Sequence, residues 1–187
     1  MIVITGGSGK AGRACMSELV AHGYELCNID LVTSSDPDIP FSQVDLTDFG
    51  QTMAALSAID ERVHNVTGII GLRLSNVMSP EDYARFPGFQ DEARKRKWNV
   101  WSYIDARDAA QAFRLALEVD LKGAEVFIIA NADTVMFRNN KELLAEVFPD
   151  VPQKSSFGPN DSLFSIEKAR RVLKYDPKYS WRSLKTS

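Results

Sequence analysis

Cysteine is scarce in this 187-residue chain: there are two, Cys15 and Cys27. Their spacing fits no metal motif, and each falls on an apolar position of an expected helix or strand. This predicts buried core thiols and a reducing, cytoplasmic compartment. Histidine is equally scarce, with only His22 and His64, so no metal-ligand cluster is available and no metal is expected. His22 falls at an expected helix C-terminus, where partial positive charge is favourable, and His64 in an expected surface loop. No apolar run approaches the roughly 20 residues that span a bilayer. Met1–Thr5 is too short for the apolar part of a leader before Gly6-Gly7 interrupts it. Neither sign of charge dominates. A net charge of −3 gives no global footprint for nucleic acid or a membrane surface. What is present is ordinary globular composition, 44% hydrophobic and 25% charged, enough for one domain with a core.

The pattern alternates strands and helices, which predicts an α/β domain with a parallel sheet. Ile2–Thr5 reads as a buried strand ended by glycines. A helix is expected over 9–22, with Ala11, Cys15 and Leu19 on one face and Gly23 as its stop. Strands are expected over 25–30 and 41–44, separated by a loop rich in Ser, Asp and Pro. Thr47 can cap the next helix, whose inner face would carry Phe49, Met53 and Leu56. Gly68–Ser75 reads as a strand, 77–99 as irregular, and 99–104 as extended. Asp105 starts a helix with Ala106, Ala109, Ala110, Phe113 and Leu117 on one stripe. A buried strand follows over 125–130, then short helices over 141–148 and 166–173. The basic run Arg94-Lys95-Arg96-Lys97 reads as a solvated loop anchored by Trp98 and Trp101, and the Lys/Arg-rich stretch 162–187 as a solvated basic face.

Thr5-Gly6-Gly7-Ser8-Gly9-Lys10-Ala11-Gly12 carries the chemistry. Glycines at 6, 9 and 12 lie between an expected strand and an expected helix. Gly6 permits the tight turn, Gly9 lets a pyrophosphate approach the backbone, and Gly12 lets the helix pack close to the sheet. Ser8, Lys10 and Ala11 complete the cradle, where phosphate charge meets free N–H groups at the helix N-terminus. Asp30 ends the second strand, 18 residues beyond Gly12, where a carboxylate accepts hydrogen bonds from ribose hydroxyls. A 2′-phosphate would meet a like charge there, so NAD is favoured over NADP. Asp45 and Leu46 follow the third strand and suit an adenine amino group and ring, while Thr47 and Asp48 serve equally well as a helix cap.

With these residues the sequence resembles the extended short-chain dehydrogenase/reductase family, of the NAD-dependent epimerase/dehydratase type. Residues 5–12 match its Thr-Gly-x-x-Gly-x-x-Gly fingerprint, and Asp45-Leu46 its adenine-site aspartate. Leu72–Pro80 is similar to its Arg-x-x-Asn-Val-x-Gly-Pro segment, with Ser79 in place of glycine. Tyr103–Ala110 resembles its Tyr-Val-Asp-x-x-Asp-x-Ala helix start, and 165–177 its C-terminal helix and turn. The resemblance implies one Rossmann-like dinucleotide-binding domain over 1–187, in which 78–104 and 150–187 form a small substrate-side and C-terminal part. It also implies a nucleotide-sugar or sugar-like ligand, with Asn76 and Arg94 as candidate contacts.

The family's Tyr-x-x-x-Lys pair is missing. That spacing puts both side chains on one helical face, where the lysine lowers the tyrosine pKa for proton exchange with substrate. Four residues after Tyr24, Tyr83, Tyr103, Tyr175 and Tyr179 stand Asn28, Pro87, Arg107, Tyr179 and Ser183. By resemblance, two central strand–helix units are lost at Glu61–Val66, just before Gly68, and no catalytic residue is assigned. Three outcomes follow: a catalytically impaired NAD-binding protein, an active oxidoreductase or epimerase completed by groups supplied elsewhere, or a deletion product without function. The shortened sheet is expected to close, with the Gly68 strand beside the first. The loss of two helices should leave a bare face that favours a homo-oligomer or an element-swapped dimer.

Overall fold

The computed structural model describes residues 1–34, 36–59, 68–153 and 156–186. His64 and the junction expected at Glu61–Val66 lie outside the described residues. Strand β1 (Ile2–Thr5) leads through the glycine turn into helix α1 (Lys10–Ala21), and β2 (Leu26–Asp30) and β3 (Phe41–Gln43) follow. The three strands pair in parallel in the order β1-β2-β3, with Ile2 opposite Leu26 and Asp30 opposite Gln43. Helix α2 (Phe49–Ala58) follows β3 and is capped by Asp48, whose carboxylate accepts the Gln51 amide. Thr47, the expected cap, instead turns onto Asp45.

The second half of the sheet is separate. Strand β4 (Gly68–Leu74) pairs in parallel with β7 (Gly123–Ile129), and β5 (Val77–Met78) with β6 (Ile104–Asp105). The region 77–99, expected to be irregular, winds into 3-10 turns over Pro80–Phe89 and Ala93–Asn99. The chain leaves them through Val100 and Trp101, both at positive φ. The buried Trp101 indole anchors this bend on the Ala93 carbonyl at 2.8 Å, whereas Trp98 is exposed. Helix α3 (Ala106–Glu118) is capped by Asp105, and α4 (Asn140–Val147) and α5 (Glu167–Leu173) complete the described elements.

Alternation along the strands decides what is covered. Ile2 and Ile4 pack with Cys15, Leu19 and Phe113 beneath α1 and α3. Ile70, Leu72 and Leu74 pack with Phe127, Ile129 and Ala109 on the same side of the sheet. A third core of aromatic residues joins Tyr83, Phe86, Trp101 and Tyr103 to Trp181. Cys15 and Cys27 are buried free thiols. On the opposite face Cys27 and Ile29 of β2 are buried, but Val3, Ile69, Val126 and Ile128 are exposed, Ile69 to 65%.

Two expectations are corrected. Strand β4 does not close against β1. Between them lies an open trough of about 580 Å³, walled by Ile2–Gly6 on one side and Gly68, Ile70 and Leu72 on the other. Its floor is α1 and α3, and Leu117, expected in the buried stripe, is exposed there for want of a strand above it. The amphipathic stripe of α2 is not an inner face either. Phe49, Met53 and Leu56 are exposed and no residue of α2 is buried, while Thr52 and Ala55 on another face are half-buried.

Candidate functional site

Parallel pairing brings the C-terminal ends of β1, β2 and β3 together, and with them Gly6–Gly12, Asp30 and Asp45-Leu46. This is where α/β sheets bind ligands. Gly6 turns the chain at φ 75°, and its carbonyl accepts the Gly9 amide at 3.1 Å. A Cβ on Gly12 would stand 2.2 Å from the Gly6 oxygen and 2.6 Å from the Gly7 Cα. Only glycine allows this approach of helix to loop. Gly9 is the extended N-cap of α1 without a side-chain cap, and no acidic residue lies in the first turn. The first i to i−4 bond runs from Arg13 to Gly9, so the amides of Lys10, Ala11 and Gly12 open the helix. They present donors and the positive end of the helix dipole.

Asp30 sits beside this cradle. Its carboxylate accepts the Val32 amide at 3.1 Å and the Ser8 amide at 2.9 Å. Those bonds, Val32 first, hold its pKa below the usual carboxylate range. It is ionised at neutral pH, with lone pairs left for hydroxyl donors. Ser8 turns its hydroxyl onto the Val32 carbonyl at 2.6 Å, tying the loop to the end of β2. Asp45 accepts both the hydroxyl and the amide of Thr47, at 2.7 and 2.9 Å, which lower its pKa. Leu46 is exposed beside it.

Three residues at the site are not singled out by sequence: Asn28, Gly7 and Asp82. Asn28 is fully buried in the middle of β2, where it accepts the Gly7 amide at 3.1 Å and donates to Ser8 Oγ at 3.3 Å. Gly7 leaves room for it, since a Cβ there would meet Asn28 Oδ1 at 2.3 Å. A single amide inside the apolar run Leu26-Cys27-Asn28-Ile29 is the available signal, because buried polar groups need partners. Asp82 forms an ion pair with Lys10 across 72 positions of sequence. Sequence offers no sign of that pairing.

Asn76 follows β4 and lines a cavity of about 550 Å³ with Arg73, Trp98 and Phe164. Arg94 does not join it. The Arg94 guanidinium donates to the Glu146 carbonyl at 3.2 Å, at the end of α4. Nor is there an activated tyrosine among those with shifted ionisation. Burial pushes Tyr83, Tyr103 and Tyr175 far above the usual phenol range. The Tyr175 hydroxyl donates to the Ala130 carbonyl at 3.1 Å within the core. Tyr103 donates to Asp133 at 2.8 Å, while Arg107, four residues on, grips Asp105 through two nitrogens at 2.9 Å each. The two do not form an acid–base pair. Among the described residues no group of three His, Cys, Asp or Glu could hold a metal ion, and no helix is long and apolar enough to cross a membrane.

Residues 2–86 match the model of the NAD dependent epimerase/dehydratase family. No curated protein matches the chain. Among solved structures it is similar to UDP-glucose 4-epimerase of Thermotoga maritima with UDP-glucose, at 15% identity and a TM-score of 0.60, covering 96% of this chain and 94% of that one. It is also similar to a short-chain dehydrogenase/reductase superfamily protein of Agrobacterium tumefaciens with bound NAD, at 12% identity and a TM-score of 0.62, covering 97% and 94%. A third is WbmG of Bordetella bronchiseptica in complex with NAD and UDP, at 14% identity and a TM-score of 0.56, covering 96% and 89%. Over Ile2 to Phe86 the chain is thus similar to the NAD dependent epimerase/dehydratase family, and its described part shares the Rossmann-like fold of these solved structures.

Proposed function

We propose that this chain binds NAD through the adenosine diphosphate half and has little or no dehydrogenase or epimerase turnover by itself. The observation that carries the reading is the cradle at Gly6–Gly12, where a Cβ on Gly12 would strike backbone, beside the ionised carboxylate of Asp30. These residues fit a diphosphate and a ribose diol, and Asp45 with the exposed Leu46 suits an adenine edge and ring. NAD-bound neighbours on the same fold support the cofactor. When bound, NAD would supply a hydride acceptor. The residues of this chain would bind and orient it, but the shifted tyrosines are held protonated by burial rather than poised to exchange a proton. A missing general acid or base typically costs about 10²–10⁴-fold in rate.

Calorimetric titration tests the binding, with NAD and ADP expected to bind with similar affinity because the nicotinamide half gains few contacts. No affinity for either at millimolar concentration would overturn the reading. Turnover is tested by absorbance of reduced nicotinamide with UDP-sugars, with contaminants excluded. For such a ligand Asn76 is the proposed contact, and Arg94 would first have to leave the Glu146 carbonyl.

A second reading, an enzyme completed by groups from another chain, is favoured by one observation. The open trough between β1 and β4 borders Gly6 and Gly12, so a segment inserted there would lie beside the nucleotide. In either case we propose self-association in solution, driven by the exposed Val3, Ile69, Val126 and Ile128.

A further inference from the structure

Lys10 opens α1 within the glycine cradle, yet its ammonium is turned to Asp82. The two halves of this ion pair are held differently. The Asp82 side chain is only 10% exposed, and one of its oxygens also accepts the Ser79 amide at 2.9 Å and the Ser79 hydroxyl at 3.0 Å. Its segment is anchored in the aromatic core by Tyr83 and Phe86, and the Tyr83 hydroxyl donates to Asp105. Lys10 is 41% exposed at its side chain, on a flexible four-carbon stem. The nearest further cation, Arg85, stands 3.5 Å from the other Asp82 oxygen and is largely solvated. Asp82 is therefore a fixed anion, held ionised at neutral pH chiefly by Lys10 and the Ser79 amide, and Lys10 is the movable partner.

We propose that Asp82 competes with the bound nucleotide for Lys10, so that a diphosphate at the start of α1 takes the ammonium from Asp82 and a single phosphate does so poorly. This rests on the nucleotide-binding reading above and deepens it. Asp82 becomes a specificity-determining residue that favours ADP-type ligands over AMP-type ones. The exchange swaps one anion for another around a cation that stays solvated, so its outcome follows the charge and reach of the ligand. It also ties nucleotide occupancy to the segment Pro80–Phe89, which loses its link to the glycine loop when Lys10 leaves.

The test is calorimetric titration of the full chain with ADP and with AMP, in wild type, Lys10→Ala, Asp82→Asn and the double variant. Asp82→Asn keeps an acceptor for the Ser79 amide while removing the charge. It should bind ADP about threefold to tenfold more tightly than wild type. Lys10→Ala should bind ADP about tenfold more weakly and lose most of the preference over AMP. In the double variant the gain from Asp82→Asn should vanish, since its route is Lys10. If Asp82→Asn does not fold, the ADP-to-AMP ratio of Lys10→Ala, a change at a half-exposed side chain, decides alone. An unchanged ratio in Lys10→Ala, or an equal gain from Asp82→Asn with and without Lys10, overturns the competition while leaving nucleotide binding intact. Absence of ADP binding in all four proteins overturns both.

Discussion

Replacing Gly12 by alanine should damage fold and binding together, whereas replacing Gly9 should damage binding alone. The Gly12 Cβ would stand 2.2 Å from the Gly6 carbonyl oxygen, 2.6 Å from Gly7 Cα and 2.9 Å from Gly7 C. All three are backbone atoms, so no side chain can swing away, and α1 must shift against the turn. Overpacking of this kind costs about 1–3 kcal/mol. In a chain of this size that lowers Tm by roughly 2–12 °C, at about 2–4 °C per kcal/mol. The Gly9 Cβ would meet only the Gly6 oxygen, at 3.4 Å, and its φ of −74° suits any residue. Gly9→Ala should therefore keep its Tm within about 2 °C, yet it puts a methyl group where a pyrophosphate must approach. A loss of about tenfold or more in ADP affinity is expected, about 1.4 kcal/mol. Differential scanning calorimetry and titration of the two variants make the comparison. A Gly12→Ala protein as stable as wild type, or a Gly9→Ala protein that binds ADP as well, would refute the close-approach account of this loop.

Asp30→Ala should weaken NAD about tenfold and NADP less, because it removes a ribose acceptor together with a charge that repels a 2′-phosphate; parallel titrations read the ratio. Asp108 is fully buried and accepts the Lys178 and Tyr179 amides at 2.8 and 2.9 Å, yet burial raises its pKa to about 6. Its folded form binds a proton more tightly than its unfolded form, so its contribution to stability falls as pH rises from about 4 through about 6. Urea midpoints across that window should decline less with rising pH in Asp108→Asn than in wild type, and equal slopes would refute the assignment. On the exposed strand face, Val126→Glu should lower the mass seen by light scattering without lowering Tm, and an unchanged mass would place any association elsewhere.

Local order is legible where one physical cause decides it. Strand β1 and helix α1 are set by apolar spacing and by glycines whose backbone roles depend on neighbours a few residues away. Asp105, expected to start a helix, is the cap of α3, since a carboxylate reaching the second amide needs only local geometry. Legibility ends where a partner has to be known. The stripe Phe49, Met53 and Leu56 has helical period, but period reports an apolar face and not what covers it. The two 3-10 stretches between Pro80 and Asn99 are held by distant aromatics, Tyr103 and Trp181 among them, rather than by their own propensity. Asp82 becomes part of the site only through Lys10, a contact that tertiary structure alone creates.

The open trough has the same origin, and it explains why β4 does not move in beside β1. Two unpaired strand edges attract one another, but the helix layer sets their spacing. Helix α1 lies against β1 and β2, and α3 against β4 and β6. The two helices pack on each other directly, with Arg114 of α3 joined to Glu18 of α1 at 2.7 Å. The contact between α1 and α3 thus takes part in setting how far β1 and β4 stand apart. Moving β4 in beside β1 would shift α3 against α1 and disturb Leu19 and Phe113, which now pack together with Ile2 and Ile4. Edge amides left open can still bond water, whereas apolar side chains pulled from a core cannot be compensated in that way. The helix contact prevails, and the sheet stays parted beside the glycine loop.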